Sequence, residues 1–270
     1  MEFFKTLASI ITQSDRSKKI ALFEKLFEAF TNENVTYEHE EMVIRFTKPS
    51  YSTFCQVIPP QKLPKRKQLD TAQGQIIFIH AVAHIEYSAI DLALDAAYRF
   101  RNMPRSYYQD WLEVASDEIR HFLMLVELLE SLGSYYGAIP VHDSLFEAGV
   151  LTQTLLDRMA VIPRYMEANG LDANPKFIEK LKKLDSTPMI ARLTEVLEVI
   201  LEEEVDHVLK GDRWFEYACE QEGKEKSIYF EIIKKYYPKT FPRTHSVNIE
   251  ARKRAGFSCD ELYTIAKVEC

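Results

Sequence analysis

Residues 115–125 read ASDEIRHFLML. Glu118 and His121 stand three residues apart in an apolar helical run, and on a helix that spacing sets them roughly 60° apart on one face. Trp111, Val114, Phe122, Leu125 and Leu129 share that face. A buried carboxylate or imidazole is costly unless something satisfies it. A metal ion would, provided that facing helices offer further ligands.

A second stretch repeats the device. In VILEEEVDHVLKGDRWF (199–215), Glu204 and His207 have the same spacing and lie on the stripe of Leu193, Leu197, Ile200, Val208 and Phe215. Only these two of the seven histidines follow a glutamate by three positions. Chance alone supplies about one such pair, so the weight rests on their position in two core stripes. Glu202 and Asp206 face outward and solvate the helix.

Two more helical runs each carry one carboxylate in a comparable place. In FIHAVAHIEYSAIDLALDAAYRF (78–100), Glu86 shares a face with Ile79, Val82, Ile90, Ala93 and Ala97. Asp91, Asp95 and Arg99 point away from it, and His80 and His84 read as packing rather than as ligands. In LLDRMAVIPRYMEANG (155–170), Glu167 shares a face with Leu156, Ala160 and Pro163. Asp157 lies roughly 80° from that stripe and reaches less far, so Glu167 is preferred, with Arg158 as a salt-bridge partner for Asp157. Pro163 removes a backbone hydrogen bond and predicts a kink that would shift the register of Glu167.

The order Glu86, Glu118-x-x-His121, Glu167, Glu204-x-x-His207 is the di-iron or di-manganese carboxylate arrangement of ferritin-like bundles. Carboxylates offset the charge of two metal ions, and imidazoles add borderline nitrogen donors. Two iron ions are expected, with manganese or a mixed Mn/Fe pair as the alternative. Glu118 and Glu204, each heading a pair, are the expected bridging ligands.

The rest of the chain fits around these helices. It has 270 residues, 46% hydrophobic and 28% charged, with eight glycines, which disfavours a turn-rich sandwich or barrel. Residues 1–33 predict two short helices, and 34–69, with four prolines, an extended wrap. Long helices are expected near 70–100, 107–133, 148–169 and 188–222, with shorter ones up to Leu184 and over 224–236. The reading is an all-α four-helix bundle over 70–222, with additions at 1–69 and 223–270 packed on its outside.

The net charge of −7 excludes a chain-wide nucleic-acid surface. KLPKRK (62–67) and ARKRAG (251–256) read as solvated surface. No apolar run approaches the ~18 residues of a membrane span, and MEFFKTLASII lacks the pattern of a secretion signal. Cys55, Cys219, Cys259 and Cys270 form no C-x-x-C, which points to free thiols in a reducing compartment and so to the cytoplasm.

The sequence also resembles a ferritin-like family known as domain of unknown function 455. The resemblance is carried by HAVAHIEYSAIDLALDAAYRF (80–100), SDEIRHFLML (116–125), YYGAIPVHDSLFE (135–147), RMAVIPRYMEANGLD (158–172), EEEVDHV (202–208) and NIEARKRAGFS (248–258). It runs from about Pro59 to Leu262. It implies a ferritin-like bundle with a di-iron centre at the six residues named above, and it implies no substrate.

The same motifs mark further residues. His142 and Asp143 precede the third long helix, Arg158 and Arg164 lie on it, and Arg252 and Arg254 lie in the tail. The resemblance suggests pocket-mouth, ligand-pairing and fold-back positions for them, against a plainer reading as loop anchors and salt bridges.

Four functions fit such a chain. The first is an oxygen-activating oxidase or hydroxylase acting on a small molecule with O2, the additions at both ends forming its pocket. A ferroxidase or peroxide-handling protein needs the same ligands but usually a compact bundle in a larger homo-oligomer. A tRNA-modifying hydroxylase has only the two basic runs in its favour, and a non-catalytic bundle would use the motifs for stability.

Overall fold

The computed structural model describes residues 1–39, 42–244 and 246–270. The described chain is all-helical, with no strand among the described residues. Its α-helices are α1 (Phe3–Thr12), α2 (Arg16–Thr31), α3 (Ala72–Arg99), α4 (Arg105–Ser131), α5 (Ser144–Leu151), α6 (Leu155–Val161), α7 (Ala168–Lys182), α8 (Pro188–Glu222), α9 (Ile228–Tyr236), α10 (Ile249–Arg254) and α11 (Cys259–Ala266). A π turn, Ile162–Glu167, joins α6 to α7. The chain divides into two compact units, Met1–Val150 and Leu151–Cys270.

In the first unit, α3 starts where Thr71 caps it, the hydroxyl accepting from the Gly74 N–H at 3.1 Å. Gly74 cannot be replaced there: a Cβ would stand 1.9 Å from the Gln68 carbonyl oxygen. α3 and α4 pack along their lengths, and the Tyr107 hydroxyl donates to the Ala96 carbonyl at 3.1 Å. α1 packs on α2 and on α3 through Phe3, Phe4, Leu7 and Ile10, all fully buried. Among the described residues of 34–69 there are two short 3-10 turns and isolated bridges, as the prolines predict. Lys19 of α2 is buried against Asp91 of α3 at 2.5 Å, with Ser50 donating to the same carboxylate at 3.1 Å.

In the second unit, Thr154 caps α6 by accepting from the Asp157 N–H at 3.0 Å. The third long helix therefore begins at Leu155 rather than near 148. The chain also stays helical through NGLDANP (169–175), whose Asn, Gly and Pro favour turns, because Leu171, Ile178 and Leu181 are buried on one side of α7. Pro163 produces the wide π turn in place of a simple kink. α8 begins with Thr187 as cap and Pro188 in its first turn, and ends at Gly223, whose φ of 61° suits glycine. α6, the π turn and α7 all pack on α8.

The expectation of four free thiols fails for two of them. Ser258 caps α11 with a full capping box, and the chain turns back after Lys267, so that Cys259 and Cys270 come to a Cα–Cα distance of 5.7 Å and form a disulfide. Cys55 and Cys219 are free and buried. By length and composition α3 alone among the described helices could cross a membrane, but most of its apolar stretch is buried inside the protein.

Candidate metal centre

α3 and α4 bring Glu86, Glu118 and His121 together. His121 Nδ1 lies 3.3 Å from Glu86 Oε2 and 3.6 Å from Glu118 Oε2. One donor atom from each of the three side chains falls within 4.8 Å of the others. Glu118 and His121 are 0% exposed and Glu86 4%, so water cannot screen this group. A buried carboxylate and imidazole set could hold a metal ion.

The electrostatics follow from that burial. The Glu86 carboxyl is held well above the usual carboxylate range, first by desolvation and then by the neighbouring Glu118 charge. Burial alone would depress the His121 pKa, but hydrogen bonds and charge from Glu118 and Glu86 raise it to about 11. Without a metal, His121 is an imidazolium between two carboxyl groups.

His80 and His84 serve the loop after α4. His80 Nε2 accepts from the Gly137 N–H at 2.9 Å. His84 is hydrogen-bonded to the Tyr136 hydroxyl at 2.8 Å and to the His142 carbonyl at 2.7 Å. Burial lowers the pKa of each to about 4, which leaves both rings neutral. The half-buried His142 accepts the Ser144 N–H at 3.3 Å, and the Asp143 carbonyl accepts the Glu147 N–H at 2.8 Å. Both residues anchor the start of α5.

Sequence patterning places Phe122 on the ligand stripe but misses its ring partners Tyr87 and Tyr136. Tyr87 and Phe122, the chain neighbours of Glu86 and His121, meet edge to face at 5.1 Å, and Tyr136 packs on both. Tyr87 and Phe122 each follow a candidate ligand by one position; Tyr136 carries no such signal.

The second unit places Glu204 and His207 one turn apart on α8, with His207 Nδ1 3.6 Å from Glu204 Oε1. His207 is fully buried and Glu204 nearly so. Gly211, one turn further on, packs against Pro163; a Cβ there would lie 2.2 Å from the proline Cβ. The π turn thus sits hard against the α8 segment that carries the Glu-x-x-His pair. Glu167 ends that turn and is half-buried.

Asp157 is taken up elsewhere, accepting from Lys235 at 2.9 Å and from the Tyr236 hydroxyl at 2.6 Å. Of the arginines marked by the resemblance, Arg164, Arg252 and Arg254 form salt bridges, the plainer of the two readings. Arg158, expected beside Asp157, donates to the Thr152 hydroxyl at 2.8 Å. Arg164 pairs with Asp212 and Glu261, both at 2.7 Å, inside a ring of Phe215, Tyr229 and Phe257. Arg252 binds Asp172 and the Ala168 carbonyl, and Arg254 pairs with the exposed Glu202.

The family described as "Protein of unknown function (DUF455)" matches residues 12–263. A Haemophilus influenzae protein, described as uncharacterized, is 36% identical over 222 residues, which cover 79% of this chain and 75% of its own. No solved structure matches.

Proposed function

The chain belongs to the DUF455 family, and we propose that it is a di-metal carboxylate protein of ferritin-like bundle architecture, an oxidase or hydroxylase acting with O2 on a small molecule. Its ligands are Glu86, Glu118, His121, Glu167, Glu204 and His207, with Glu118 and Glu204 bridging. The proposed metal is iron, with manganese or a mixed pair as alternatives, and the proposed location is the cytoplasm.

One observation carries this reading: Glu86 and Glu118 are buried around an imidazole, a group that can exchange its proton for a metal. The donor set fits. Carboxylate oxygens and imidazole nitrogens suit iron and manganese, and no soft thiolate is needed. When bound, a ferrous pair supplies the electrons for O2 reduction. The protein's own residues bring buried carboxyl groups and hold the His121 imidazole beside Glu86 and Glu118, where burial keeps bulk water out.

Metal analysis of anaerobically purified protein tests the proposal, followed by an oxygen-uptake trace on Fe(II)-loaded chains. Two metals per chain are expected, falling to one in His121→Ala and in His207→Ala with helix content unchanged. Full occupancy of both variants in competition with a chelator would remove these histidines from the site. A metal-loaded wild type that consumes no O2 would leave the non-catalytic alternative.

A further inference from the structure

The second unit contains a cavity of about 560 Å³ that the metal reading does not use. One wall is α7 with the preceding turn, which contributes Tyr165, Lys176, Phe177 and Lys180; the other is the 239–244 segment, with Lys239 and Arg243. The Tyr165 hydroxyl and the Thr240 hydroxyl, 2.7 Å apart, tie the two walls together. The volume lies within the range of roughly 300–1,000 Å³ typical of small-molecule sites.

Its charge is unusual for an acidic chain. Four cationic residues line it, and the one acidic lining residue among those described, Asp172, has both oxygens engaged. Oδ1 accepts from Arg252 Nε and from the Asn248 N–H, both at 2.9 Å. Oδ2 accepts from Arg243 Nη1 at 2.8 Å and from Arg252 Nη2 at 2.7 Å. Two guanidinium groups thus share one carboxylate, and their side chains are only 5% and 0% exposed. That leaves one positive charge in excess at the base of the cavity. Burial, and then the charge of Arg252, lower the Arg243 pKa, so a second anion beside it would relieve the imbalance.

Further cations stand near the opening. Lys176 and Lys180 are spaced i, i+4 on α7, a pairing that weakens a helix slightly unless an anion offsets it. Lys176 reaches the Ser246 carbonyl at 3.1 Å, and Lys180 lies 5.2 Å from the Phe177 ring centre. The aromatic lining is Tyr165, with Arg243 5.6 Å from its ring centre, and Phe177.

We propose that this cavity binds a small organic phosphate of mononucleotide size. The Arg243 guanidinium and the lysines supply cationic charge for a phosphate dianion, and Phe177 in the wall gives an aromatic contact for the organic part. A nucleic-acid strand fits less well, because it needs a basic track extended over several nucleotides. The proposal is independent of the metal centre, since none of the proposed metal ligands lines the cavity.

Isothermal titration of the full chain at low salt with AMP, adenosine, ribose 5-phosphate and inorganic phosphate tests it. AMP should bind at least about tenfold more tightly than adenosine and than inorganic phosphate. The double variant Lys176→Glu/Lys180→Glu changes exposed or half-exposed positions, so it should fold and keep its metal content while losing about tenfold or more in AMP affinity. The proposal is overturned if no phosphate probe binds up to about 10 mM, or if adenosine binds as well as AMP. It is equally overturned if the double variant binds AMP like wild type, or if a single-stranded RNA binds where AMP does not.

Discussion

Gly211→Ala tests whether the π turn and the Glu204-x-x-His207 segment act as one packed unit. The new Cβ would stand 2.2 Å from Pro163 Cβ and 2.3 Å from Pro163 Cγ. Ordinary contact begins at 3.4 Å, so α8 or the turn must retreat by 3.4 − 2.2, about 1.2 Å. The proline ring cannot rotate away, so backbone has to move. Overpacking of this kind costs about 1–3 kcal/mol, and a shift this large belongs at the upper end. Alanine returns about 1 kcal/mol through helix propensity, which leaves a net loss of about 2 kcal/mol.

Gly170→Ala is the matched control. That glycine is also helical, with ordinary φ and no heavy atom within 4 Å of a built Cβ, so only the propensity gain of up to about 1 kcal/mol applies. The two variants should therefore move the urea midpoint of the metal-free chain in opposite directions. The consequence for the site is separate: His207 lies one turn from Gly211, and binding geometry tolerates only about 0.5 Å of displacement. Gly211→Ala should lose a metal that Gly170→Ala keeps. A Gly211→Ala chain as stable as Gly170→Ala and fully loaded would show that the close approach constrains nothing.

Two further outcomes follow from the site. His121 has its pKa raised from 6.5 to about 11 in the metal-free fold, so its contribution to stability is fully present below 6.5 and is lost as pH rises through about 11. Metal ligation needs the neutral ring, so Fe(II) or Mn(II) uptake at about pH 8 should release at least one proton, seen with an indicator dye in weak buffer. His121→Ala should release one fewer, and equal release by both proteins would contradict the charged state assigned to His121. On the third long helix, Asp157→Ala loses contacts to Lys235 and Tyr236 and should keep two metals, whereas Glu167→Ala should drop to one. The reverse stoichiometry would move the ligand from Glu167 to Asp157.

The sequence was legible where local chemistry decides. Thr71 before α3 and Thr187-Pro188 before α8 are capping signals, and the apolar stripes around Glu118 and Glu204 could be read by period alone. It misled where distant packing decides. Asn169, Gly170, Asn174 and Pro175 are turn formers, yet burial of Leu171, Ile178 and Leu181 keeps the chain helical. Pro163 announced a disturbance, but its form depends on Gly211, which leaves room for the ring from another helix. Arg164 carried no clue to its partners, because Glu261 stands 97 residues away and Asp212 lies on another helix. The Cys259–Cys270 pairing likewise depends on the turn after Lys267.

Four other buried carboxylates give the clearest contrast with the candidate centre. Asp91 is met by Lys19, Asp212 by Arg164 and Lys226, Glu261 by Arg164, and Asp172 by Arg243 and Arg252. Each of these four is met by a lysine or an arginine, and the arginines stay charged throughout the physiological range. Around Glu86 the charges are those of Glu118 and His121. Histidine offsets the Glu118 charge while no metal is bound and can release its proton when a metal takes its place. The choice of cation at this position, more than the presence of buried acids, separates a candidate metal centre from the structural ion pairs around it.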